Sequence, residues 1–249
     1  MEPLNFRLDS AHQVHDFFRG FRPHPPTGWW FRGQANTEWD LIPKAGRRPY
    51  FLKGGRSLGR FASWSKKAIA FDRNLPTNDW ERLAVAQHYG LATCLLDWTY
   101  NPLIALFFAC VDHAHTDGAV YFLEPEAHLN SESALLEDEN MPVVGYAPRH
   151  IDPRVQHQRS AFTVHLPAHK KIEAVQHPAL DKSHPILVKL EVPSTFKTEI
   201  MANLDNYGVS HSSIFPDLGG LSSHVNWETE RISKSKESAK AFGWDALNS

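Results

Sequence analysis

Three aromatic positions run straight into polar ones in WWFRGQ, residues 29–34, which reads as a core strand whose alternation of faces sends Trp30 and Arg32 the same way. Before it, residues 8–20 place apolar side chains at helical spacing, with Ser10 to cap and Gly20 to close, and FRPHPPTG reads as a proline-rich turn. Helical spacing returns at 61–72 and at 79–89, where Asn78 or Asp79 is placed to cap and Gly90 to terminate. LATCLL is a short apolar strand. PLIALFFACVDHA is a buried helix, tolerant of Pro102 because the first turn has no partner for that N–H. GAVYFLEP follows a DG turn signal and reads as a strand, as do AFTVHL and HPILVKLEVP. The stretch 126–148 reads as an acidic, prolyl loop, 195–206 as a helix, and 206–228 as a loop entering a helix. Past Trp227 the chain is polar and expected to be peripheral. The pattern predicts a mixed α/β (α+β) fold in one domain, with one or two central, mostly antiparallel sheets and flanking helices.

Composition narrows the partners. With 249 residues and 42% apolar content the chain supports a sizeable core, and a formal charge of -2 argues against holding nucleic acid by bulk electrostatics. Two cysteines, Cys94 and Cys110, make neither a disulfide framework nor a cysteine zinc cluster. No apolar run of membrane-spanning length occurs, and MEPLNFRLDS lacks the pattern of a secretory leader, so a soluble cytoplasmic protein without a membrane partner is expected. Fifteen histidines raise the question of a metal, but none falls in an HExxH-type pattern, and no metal is expected.

Three polar clusters stand beside apolar runs. They are Phe31 to Gln34; Gln87-His88-Tyr89-Gly90 followed by Leu95-Leu96-Asp97-Trp98-Thr99; and Arg154 to Gln158, just before the strand at 161–165. Arg32 and Asp97 admit two accounts: a buried ion pair fixing two strands, or a pair of charges facing a ligand. Trp29, Trp30, Phe107 and Phe108 read as core. His88, ending a helix, either caps carbonyls or serves as acid or base. The stretch 46–60 carries Arg47, Arg48, Arg56 and Arg60 and reads as a solvated loop or, alternatively, as a phosphate-binding surface of a nuclease or nucleic-acid module.

Four ordered blocks resemble the FRG domain family, named for the tripeptide that here is Phe31-Arg32-Gly33. They are WWFRGQANTEWDLIPKAGR, WERLAVAQHYGLATCLLDWTYNPLIALFFAC, DPRVQHQRSAFTVH and YGVSHSSIFPDLGGL. The resemblance implies a single FRG-type domain over 1–249, with a motif-bearing core at about 29–227 and a polar tail at 228–249. This chain departs from the family's usual residues at Cys94, Arg159, Ser160 and Gly219.

WWFRGQ and LLDWTYNPLIALFFA are also similar, in order and context, to two elements of ADP-ribosyltransferases of the arginine-serine-glutamate type. That similarity implies an ADP-ribosyltransferase-like fold that uses NAD as substrate, either transferring ADP-ribose to a protein or nucleic acid or hydrolysing the dinucleotide, in a toxin or phage-defence setting. The implied binding residues are Arg32 for the pyrophosphate, Trp98 or Tyr89 for nicotinamide, and Gln34 and Thr99 as hydrogen-bonding support. Asp97, Gln158 and His88 are the implied catalytic residues, with Gln158 standing where the transferase glutamate lies in chain order. The helix near Pro102 is expected to turn its positive end toward the phosphates. A non-catalytic ligand-binding or sensing domain is the remaining alternative.

Overall fold

The computed structural model describes residues 4–20, 28–51, 57–125, 127–129, 142–148, 160–172 and 186–241, with side chains in the last segment to residue 233. Strand β1 (Leu4–Arg7) leads through helix α1 (Gln13–Gly20) to β2 (Trp30–Gln34). Helices α2 (Ser57–Ala68) and α3 (Asp79–His88) follow, then β3 (Leu95–Thr99), α4 (Pro102–Cys110) and β4 (Gly118–Leu123). Next come β5 (Val144–Tyr146), β6 (Ser160–Val164) and β7 (Leu187–Val192). Helices α5 (Ser194–Asn206), α6 (His211–Ile214) and α7 (Leu218–Ala241) complete the described chain.

The fold is mixed α/β, and its strands join one seven-stranded sheet in the order β1-β7-β4-β2-β3-β6-β5. Neighbours run antiparallel except β1, which lies parallel to β7. Phe31, Val120, Phe122, Val188 and Leu190 pack with α4 and α5 in one core cluster. Leu95, Phe162 and Val164 pack with Trp80, Leu83 and Ala84 of α3 in a second. Trp30, Leu96, Trp98, Tyr121 and Ala161 form a third cluster with Leu41, Ile186 and Leu187.

Gly33 explains how closely α4 approaches the sheet. A Cβ there would collide with the carbonyl oxygen of Ala105 and lie 2.7 Å from the amide nitrogen of Ala109. A Cβ on Gly118 would collide with the carbonyl oxygen of Ala109. Two alanines one turn apart on α4 thus rest where β2 and β4 carry no side chain.

The pattern of apolar positions missed three features. β1 is an exposed strand whose four residues show no buried face, so its edge pairing with β7 has no sequence signal. β5 occupies three residues of the expected 126–148 loop and pairs with β6. The polar stretch past Trp227 is helical and continues α7 through Ala241. No helix among the described residues is long and apolar enough to cross a membrane.

Candidate functional site

β2 and β3 share a single register pair, Phe31 opposite Thr99, whereas β3 and β6 share five. Beside that short pairing lies a cavity of about 320 Å³. Arg32, Asp97, Trp98, Thr99 and Ser160 line it together with Phe31, Gly33, Ile104, Ala105, Phe108 and Phe215.

The guanidinium of Arg32 reaches β3, where Nη1 donates to the carbonyl oxygen of Asp97 at 2.7 Å and lies 4.0 Å from its Oδ2. The Arg32 side chain is 17% exposed, and its Nε is buried without a hydrogen-bond partner. Burial lowers its pKa from 12.5 to about 10; Asp97 opposes the drop and the charge of Arg47 adds to it. Asp97, by contrast, is 63% exposed. Full burial does not hold equally for the two partners of this pair: a desolvated cation faces a largely hydrated carboxylate, and only the cation bears a large burial cost.

Trp98 reaches the cavity, but its indole is buried and Nε1 donates to Thr163 Oγ1 at 3.0 Å. Thr163 in turn meets His165 Nε2 at 2.8 Å, and His165 Nδ1 meets the Lys170 carbonyl at 2.6 Å. Because His165 is buried, its pKa falls to about 4, against the effect of the Lys170 carbonyl and with a contribution from Arg32. Trp98 thus belongs to a buried polar chain, and Phe108 and Phe215, with ring centroids 6.1 Å apart, supply the other aromatic walls.

Thr99 lines the cavity and accepts from the N–H of Asn101 at 3.1 Å. Asn101 caps α4: its side chain accepts from Leu103, and its carbonyl accepts from Ile104 and Ala105. The donors of the first helical turn are therefore engaged within the helix and its cap, and the α4 residues that line the cavity are Ile104, Ala105 and Phe108 rather than the helix start.

The remaining candidates lie elsewhere. Gln34 is buried, with Nε2 3.4 Å from the Asp40 carbonyl, and does not line the cavity. His88 ends α3 against the ring of Tyr89, and Tyr89 is 72% exposed; neither lines the cavity. Arg47 donates through Nε and Nη2 to the Ile42 carbonyl, and Arg60 donates to the carbonyls of Ala92 and Tyr50. Arg48 is exposed at the surface. Gln158, Arg56 and Arg159 lie outside the described residues. Of the departures from the family pattern, Cys94 is buried, Gly219 is exposed and Ser160 lines the cavity.

Sequence reasoning passed over Gln87. Its Nε2 donates to Asp97 Oδ1 at 2.7 Å. The only signal was its place in the Gln-His-Tyr-Gly cluster. Phe215 was likewise missed, although it falls in the fourth motif block. Among the described residues no group of three or more His, Cys, Asp or Glu side chains is placed to hold a metal ion.

Residues 27–118 match the family model of the FRG domain. Over that stretch the chain is similar to the FRG domain. The match spans the first two motif blocks, and those blocks supply every cavity-lining residue except Ser160 and Phe215. No curated protein and no solved structure matches the chain. Within the FRG tripeptide the three residues divide the work: Phe31 packs in the core, Gly33 admits α4, and Arg32 is presented to the cavity.

Proposed function

We propose that the chain binds NAD in this cavity and breaks its nicotinamide-ribose bond, passing ADP-ribose to water or to a macromolecular acceptor. The observation that carries the reading is the meeting of Arg32 and Asp97, from separate sequence blocks, at one aromatic-walled cavity. The cavity is of a size for the nicotinamide riboside portion, with the rest of the dinucleotide lying across its mouth. The guanidinium of Arg32, which lines the cavity, binds phosphate oxygens, to which a planar fork is well matched. Phe108 and Phe215 cover the nicotinamide ring in place of Tyr89. As the glycosidic bond lengthens, positive charge grows on the ribose, and the Asp97 carboxylate stabilises it. Nicotinamide leaves as a neutral base with the bonding electrons. Water or an acceptor hydroxyl forms the new bond to the ribose and releases a proton.

The geometry gives less support to a nucleic-acid module, because Arg47 and Arg60 already direct donors to backbone carbonyls. Isothermal titration with NAD tests the reading. Wild type is expected to bind and Arg32→Lys to bind at least about tenfold more weakly, since a lysine keeps the charge and loses the fork. Equal affinity of the two proteins, or no binding by wild type, would overturn it.

A further inference from the structure

We infer that Gln87 and Thr93 are positioning residues that aim the Asp97 carboxylate at the cavity, an inference that rests on the NAD reading only for its kinetic consequence. The hydrogen bonds run in one direction. The N–H of Leu95 donates to Thr93 Oγ1 at 3.1 Å, which leaves the hydroxyl proton to be given to Gln87 Oε1. Gln87 then has its amide nitrogen on the other side, where Nε2 donates to Asp97 Oδ1 at 2.7 Å. An ionised carboxylate only accepts, so the opposite orientation of the amide would set two oxygens against each other.

The anchor of this chain is rigid. Thr93 is buried, its carbonyl accepts from the N–H of Ala45, and Leu95 lies in the sheet opposite Val164. Asp97 itself is largely exposed, and burial alone does not fix its side chain. Holding Oδ1 from α3 leaves Oδ2 on the side of Arg32, 4.0 Å from Nη1. The site thereby keeps a carboxylate at the outer limit of ion-pair distance from the cation. The motif acquires a physical reason as well: glutamine near the end of α3, threonine before β3 and aspartate within β3 form one hydrogen-bonded unit.

The test uses Gln87→Glu, which preserves shape and the acceptor for Thr93 but sets a carboxylate against Asp97, with Gln87→Met as a second variant lacking the polar group. Thr93→Ser restores what Thr93→Val removes. Three-bond couplings report the Asp97 side-chain rotamer by NMR at about pH 8, above the usual carboxylate range. Wild type and Thr93→Ser are expected to show one dominant rotamer, and Gln87→Glu, Gln87→Met and Thr93→Val an averaged one. Nicotinamide release in the averaged variants is expected to fall by about tenfold or more in kcat, with KM within about twofold. An averaged Asp97 in wild type, or an unchanged rotamer in both Gln87 variants, would overturn the positioning role. A fixed rotamer that the variants release, in a wild-type protein that releases no nicotinamide, would overturn the NAD reading and leave the positioning role standing.

Discussion

Replacing Arg32 with methionine should make the protein more stable while abolishing ligand binding. Arg32 is charged, 17% exposed, and held to a pKa of about 10 against 12.5 in water, chiefly by burial. At ~1.4 kcal/mol per pH unit, that drop corresponds to about 3 kcal/mol against folding. The sign follows from the direction: a base whose folded pKa is lowered binds its proton more weakly in the native state. The penalty is therefore complete below about 10 and fades as pH rises toward 12.5. Against the gain stands the lost bond to the Asp97 carbonyl, worth about 1 kcal/mol net. Methionine fills much of the volume, and Asp97 remains hydrated. Urea titration near neutral pH should show Arg32→Met more stable by about 1–2 kcal/mol with an unchanged denaturant slope. A loss of about 1 kcal/mol or more would refute the reasoning and make Arg32 a structural clamp.

Asp97→Asn should fold normally, with a stability change within about 0.5 kcal/mol because the side chain is largely exposed, and should lose nicotinamide release by at least about tenfold; stability and turnover assays on the same preparation check both. Gly33→Ala should cost at least about 2 kcal/mol by thermal melting, since its methyl group meets the backbone of α4 at Ala105 and Ala109. His165 has a pKa near 4 in the fold against 6.5 when free, so its contribution is complete above about 6.5 and is lost as pH falls toward about 4. That contribution is about 3 kcal/mol, and urea midpoints across this range should fall less steeply for His165→Gln than for wild type.

The central strands were legible because they bury apolar residues on their faces. WWFRGQ, LATCLL and AVYFL became β2, β3 and β4, and PLIALFFAC became the buried helix α4. β1 and β5 were illegible for opposite reasons: one is exposed throughout and depends on its partner's edge, and the other is buried but only three residues long. Arg32, Asp97, Trp98 and Thr99, singled out by their motifs, line one cavity. Gln87 was not singled out, because the stretch between it and Asp97, ten positions further on, contains a helix end and a turn, and only folding brings its amide to the carboxylate. The exposure of Asp97 was equally hidden, since an apolar neighbourhood in sequence does not show which residue lies at a cavity mouth.

The most direct measurement is nicotinamide release from NAD, followed by chromatography, for purified wild type, Arg32→Met and Asp97→Asn, with and without cell extract as a source of acceptor. The account predicts release by wild type in at least one condition and a loss of at least about tenfold in both variants, with each variant folded. Absence of release by wild type under both conditions, or undiminished release by Asp97→Asn, would contradict it.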